Sequence, residues 1–89
     1  MPKLITISIK SQINMSVITY INRLKVIDQL IKLRMTGSPK KLSVKLEISE
    51  RQVFRYIEDL KELGGEIEFN KTFNSYVYLT DKQLFIEYI

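Results

Sequence analysis

"SPKKLSVKLEISERQVFRYIEDLKELGG", residues 38–65, contains two helix starts and two helix stops in quick succession. Ser38 before Pro39 marks the first start. A serine side chain accepts a hydrogen bond from a free backbone N–H, and proline fits the first helical position, where its missing N–H costs nothing. Leu42, Val44 and Leu46 are the apolar residues of this short helix. Ser49 marks the second start. Gln52, three residues on, has capping-box spacing, so each side chain can satisfy a backbone donor near the other. The short helix must therefore stop near Leu46, leaving about three residues before the next helix. That next helix runs from about residue 50 to 63 and ends at Gly64-Gly65, because glycine readily takes the left-handed backbone found just past a helix.

At about 100° per residue, Val53, Ile57 and Leu60 fall on one face of this helix, flanked by Tyr56. Arg51, Arg55, Glu58 and Glu62 fall on the opposite face. The outward face is therefore basic in its first two turns and acidic in its last two. Arg51 and Arg55, one turn apart, repel each other by about 0.2–0.5 kcal/mol. Both also lie near the positive end of the helix dipole, which disfavours cations. A bound polyanion would offset both costs. The competing expectation pairs Arg55 with Glu58 and Asp59 on a solvated surface.

Upstream, Val17, Tyr20, Ile21, Leu24, Ile27 and Ile31 recur at three- and four-residue spacing, which predicts a helix over 17–35. Asn14 or Ser16 can cap it, and Gly37 suits its far end. Residues 4–10, "LITISIK", alternate in the period of a strand with β-branched residues nearly throughout. Such a strand needs a partner, from another chain if not from this one. Residues 1–15 are otherwise an extension ahead of a domain spanning 16–80. Downstream of the glycines, "EIEF" and "SYVYL" alternate on either side of "NKTFNS", a loop with two turn-forming asparagines. This predicts a β-hairpin. The tail, 81–89, fits a helical turn capped by Thr80 or Asp81 as well as it fits a strand. The fold class is mainly α with a small hairpin: three helices, a two-stranded wing and an extra N-terminal strand.

The 89 residues make one small domain, and 45% apolar with 27% charged residues is an ordinary globular balance. With no cysteine, disulfides and zinc–thiolate sites are excluded. With no histidine, the commonest general base and metal ligand is missing, and no nucleophile–base pair can be assembled. No enzyme, cofactor, metal or small-molecule ligand is expected. No apolar run approaches the ~18 residues that cross a membrane, and "LITISI" is too short and too polar for a signal-peptide core. The expected location is cytoplasmic.

The net charge is +4, and it is unevenly spread. Residues 20–45 carry seven basic side chains against Asp28 alone, a net of +6, whereas residues 46–70 carry three against seven, a net of −4. A basic half points to a polyanionic partner.

A short helix, a tight turn and a second helix match a helix-turn-helix, whose second helix enters the major groove through its N-terminal residues. The following hairpin would be a wing. The stretch "RLKVIDQLIKL…GSPKKLSVKLEISERQVFRYIEDLKELGGEIEFNKTFNSYVYL", about residues 17–79, resembles the winged helix-turn-helix domain of DeoR-type repressors. It is also similar to the N-terminal domains of WYL-type regulators and of the biotin-ligase repressor. The resemblance rests on a Ser-capped helix reading Ser-x-x-x-Val-x-Arg-x-Ile-x-x-Leu-x-x-x-Gly from Ser49 to Gly64, then a hairpin with aromatics.

The resemblance implies base or groove contacts from Arg51, Gln52 and Arg55. It implies phosphate contacts from Ser38, Lys40, Lys41, Ser49 and Phe54 or Tyr56, and a wing contact near Lys71. Two features depart from the family. Glu47 stands where glycine is usual in the turn, so either the turn differs or a left-handed Glu47 is strained by about 1–2 kcal/mol. The wing carries only Lys71 at its tip. The expected function is sequence-specific binding of double-stranded DNA by a transcriptional regulator, as a homodimer, with the N-terminal strand and the apolar tail as candidate dimer surfaces. The alternative is a winged-helix module that binds protein through the acidic half of the third helix. Non-specific architectural binding is disfavoured by the modest basic surface.

Overall fold

The computed structural model describes residues 3–9, 15–80 and 82–88, with side chains over 16–80. In chain order the elements are β1 (Lys3–Ile9), α1 (Met15–Lys32), α2 (Pro39–Leu46), α3 (Glu50–Glu62), β2 (Ile67–Asn70), β3 (Ser75–Tyr78) and β4 (Lys82–Tyr88). The three helices and the β2–β3 hairpin have the architecture of a small winged helix-turn-helix.

The core sits where the apolar stripes meet. Ile21, Leu24, Ile27 and Ile31 of α1 are buried with Leu42 of α2 and Val53, Tyr56, Ile57 and Leu60 of α3. Ile67 and Tyr76 join from the hairpin. Burying each such side chain stabilises the fold by about 1.5–3 kcal/mol. The core face expected of α3 is thus the buried one. In α2 only Leu42 is fully buried: Leu46 is half-buried and Val44 faces solvent, two residues from Leu42 and so on the far side of the helix.

All three helices end in the same way. Past α1, the Met35 N–H donates to Leu30 O (2.9 Å) and Arg34 N–H to Ile31 O (3.0 Å). Past α2, Ile48 N–H donates to Ser43 O (3.0 Å) and Glu47 N–H to Val44 O (3.2 Å). Past α3, Gly65 N–H donates to Leu60 O (3.0 Å) and Gly64 N–H to Lys61 O (2.9 Å). This is the Schellman pattern, which needs one left-handed residue to satisfy the last carbonyls. That residue is Arg34 (φ 56°), Glu47 (φ 56°) and Gly64 (φ 104°) in turn. The expectation that Gly37 ends α1 is therefore corrected. The helix stops at Lys32, Arg34 makes the reversal, and Gly37 (φ 70°) lies in the loop leading to Ser38. Gly65, which follows Gly64, is closely surrounded: a Cβ there would lie 3.0 Å from Leu60 O and 3.2 Å from the Tyr78 ring.

The hairpin pairs Ile67 with Tyr78 and Asn70 with Ser75, antiparallel. Its turn uses both asparagines: Asn70 Oδ1 accepts from Phe73 N–H (3.1 Å), and Asn74 takes a left-handed backbone (φ 50°). A buried polar cluster fixes the hairpin to the α1–α2 loop. Thr36 and Ser75 are both fully buried. The Thr36 N–H donates to Ser75 Oγ (3.0 Å), and the Tyr76 N–H donates to Thr36 Oγ1 (2.9 Å). Arg34 lies over the Phe73 ring, 4.6 Å from its centroid, joining the end of α1 to the wing turn. The Tyr78 hydroxyl donates to Asp28 of α1 (2.5 Å), a carboxylate that also pairs with Lys32 (2.9 Å).

β1 pairs in parallel with β4, from Lys3↔Lys82 to Ile9↔Tyr88. The strand expected near the N-terminus thus finds its partner within this chain, and the tail resolves as a strand. The candidate caps Asn14 and Asp81 lie outside the described residues, while Ser16 lies inside α1 rather than ahead of it.

Candidate nucleic-acid interface

Two serines set the geometry of the α2–turn–α3 unit. Ser38 Oγ accepts from the Lys41 N–H (3.1 Å), with Pro39 opening α2. Ser49 Oγ accepts from the Gln52 N–H (3.1 Å), and Gln52 Oε1 accepts from the Ser49 N–H (3.1 Å), completing the expected capping box. Ile48, just before the cap, and Val53 both join the core, the arrangement of a hydrophobic staple. Between the two helices, Glu47 takes the left-handed backbone (φ 56°, ψ 43°). Sequence alone admits either a strained Glu47 or a different turn; the backbone adopts the strained form.

The outward face of α3 is as the 100° rule predicts. Arg51, Arg55, Glu58 and Glu62 are exposed. Arg51, Gln52, Phe54 and Arg55 line one broad open hollow of about 560 Å³, whose far end is bounded by Glu58 and Glu62. A second cleft of about 310 Å³ runs beside it between Tyr20 of α1 and Gln52, Arg55 and Asp59 of α3.

The pairing of Arg55 with Glu58 and Asp59 is not what forms. Glu58 pairs with Lys61 (3.4 Å). The Asp59 carboxylate accepts from the Tyr20 hydroxyl, whose ring stacks on Tyr56 with centroids 5.2 Å apart. Partial burial, then this hydrogen bond, raises the Tyr20 hydroxyl well above the ordinary tyrosine range, so it stays a neutral donor. Among the described residues, no ion pair includes Arg51 or Arg55. Sequence could not have found the Tyr20–Asp59 bond, because 39 residues separate partners that carry no local motif.

The other named residues divide. Lys40 and Lys41 are exposed in the first turn of α2, and Lys71 is exposed in the wing turn. Phe54 is exposed, but Tyr56 is buried (6% exposed), its hydroxyl facing Arg23 (3.5 Å). Of the two aromatic candidates, only Phe54 faces solvent. The basic surface is also narrower than the count over 20–45 suggests. Lys32 is paired with Asp28, Arg34 covers Phe73, and Lys45 Nζ donates to Met35 O (2.8 Å). What stands open on the α2–α3 unit is Lys40, Lys41, Arg51 and Arg55.

Among the described residues, no group of acidic side chains could hold a metal ion, and no helix is long and apolar enough to cross a membrane. Comparisons with protein-family models, curated proteins and solved structures find no match to this chain.

Proposed function

We propose that this protein binds double-stranded DNA sequence-specifically, with α3 in the major groove, and acts as a transcriptional regulator in the cytoplasm. The observation that carries the reading is the pair of exposed guanidinium groups, Arg51 and Arg55, unpaired among the described residues on the first two turns of the second helix of a helix-turn-helix. Two cations at the dipole-positive end of a helix are unfavourable until an anion arrives. Arginine is suited to the task, since its fork can pair with the acceptor edge of guanine or with phosphate. Glu58 and Glu62 lie further along the same face, where the helix would rise away from the phosphates, and would resist deeper insertion. Lys40 and Lys41 would contact the backbone without reading sequence. A domain this small reaches few phosphates, so a homodimer on two half-sites about 34 Å apart is the working assembly.

The test is binding of labelled duplexes across a salt series. Log affinity is expected to fall linearly with log salt, with a slope near −0.9 per phosphate neutralised. R51A and R55A should relax sequence preference, whereas K40A should weaken binding to all sequences alike. Failure to retain any member of a random duplex pool at low salt refutes the proposal. It would favour the second reading, a protein-binding module using the exposed Glu58 and Glu62.

A further inference from the structure

Among the described side chains, every aromatic ring but one has a partner. Tyr20 stacks on Tyr56, Phe69 meets Tyr76 edge-to-face, Arg34 covers Phe73, and Tyr78 is hydrogen-bonded to Asp28. Phe54 has no ring, cation or hydrogen-bonding partner among the described residues, and 51% of its surface is exposed. It stands in the second turn of α3 and lines the same hollow as Arg51 and Arg55. A phenyl ring gains nothing from a phosphate, which offers only charge and hydrogen-bond acceptors. In the major groove one apolar feature distinguishes the bases, the 5-methyl group of thymine.

We infer that Phe54 is a specificity-determining residue that packs its ring against a thymine methyl beneath α3. The inference rests on the DNA-binding reading above and adds the base class that the arginines do not select. Arg51 and Arg55 bring the ring to the groove by charge complementarity, and between them they favour guanine or phosphate. Phe54, adjacent to Arg55 and one turn from Arg51, adds discrimination for thymine at a neighbouring step.

The experiment uses the full chain and a duplex selected from a random pool. Each thymine is replaced in turn by deoxyuracil, which keeps every hydrogen-bonding group and lacks only the methyl. Wild-type protein is expected to lose about fourfold in affinity at one or two positions, the effect of withdrawing one methyl from water. F54A is expected to bind thymine and deoxyuracil duplexes equally, and F54L to keep part of the ratio. Circular dichroism should show F54A helical, since the replaced ring lies at the surface. Indifference of the wild type to deoxyuracil at every position overturns the inference. So does a selected site without thymine, or a thymine preference undiminished in F54A. In all three outcomes DNA binding itself stands. A chain that retains no duplex overturns the binding proposal and this inference with it.

Discussion

Replacing Glu47 with glycine should make the domain more stable, although it removes a side chain and adds none. Glu47 occupies the left-handed reversal after α2 at φ 56° and ψ 43°, where a side chain crowds the following carbonyl by about 1–2 kcal/mol. Glycine escapes that cost but loses more backbone freedom on folding, which returns roughly 0.5–1 kcal/mol. The net gain is about 0.5–1 kcal/mol. A domain of this size converts each kcal/mol into about 4–8 °C, so the melting temperature should rise by a few degrees. Glu47 is exposed and forms no ion pair among the described residues, so little else changes. Urea titration and thermal melts of wild type, E47G and E47A measure the effect. The alanine variant keeps the Cβ and with it the strain, so it should melt near wild type. A neutral or destabilised E47G refutes the backbone argument. Equal stabilisation by E47A would assign the gain to the lost charge. Arg34 sharpens the contrast. It has the same left-handed backbone, but its guanidinium also covers Phe73, an exposed cation–π contact worth about 0.5–1 kcal/mol. R34G should therefore end close to wild type.

Three other outcomes follow from the packing. T36V strips the acceptor from the buried Tyr76 N–H, and a bare buried donor costs about 1–3 kcal/mol; a urea midpoint unchanged from wild type would show that Thr36 is not that acceptor in solution. L42A empties the one fully buried position of α2 and should cost about 2–5 kcal/mol, visible as lost helical signal at moderate temperature; a small effect would mean that the site collapses around the gap. Stability should decline above about pH 10. Burial, then the hydrogen bond to Asp28, raises the Tyr78 hydroxyl above its unfolded value, so the folded chain holds a proton that the unfolded chain releases. Its contribution is complete below about pH 10 and lost as pH rises beyond it. Urea midpoints collected from about pH 8 to 11.5 should fall less steeply in Y78F, and parallel curves would exclude this tyrosine as the cause.

The local chemistry of this fold was open to reading from residues alone, because its signals are short-range. Ser38-Pro39, the Ser49–Gln52 box and Gly64-Gly65 each fix backbone within a few positions, and each occurs where expected. The α3 core face follows from helical period, and so does the exposure of Arg51 and Arg55. The end of α1 is not legible in the sequence, because the nearby Gly37 is intrinsically the better reversal than Arg34. Nothing in the sequence signals that Arg34 will take that conformation, with its side chain settling on Phe73. The tail was ambiguous for a related reason: β4 acquires its strand identity from β1, 79 positions earlier in register. At the candidate site, the residue types and their face were legible. The Tyr20–Asp59 bond that leaves Arg55 unpaired was not, and neither was the lack of a ring or cation partner for Phe54 among the described aromatic side chains.

The Thr36–Ser75 cluster also bears on how this architecture could be recombined. A hairpin cut at Ile67 and transplanted to another three-helix frame would carry Ser75 and the Tyr76 amide without the threonine that answers them. The smallest portable cassette is discontinuous: residues 34–37 must travel with residues 67–78. Chimeras that respect this pairing should fold, and those that exchange the wing by itself should inherit a defect at its root.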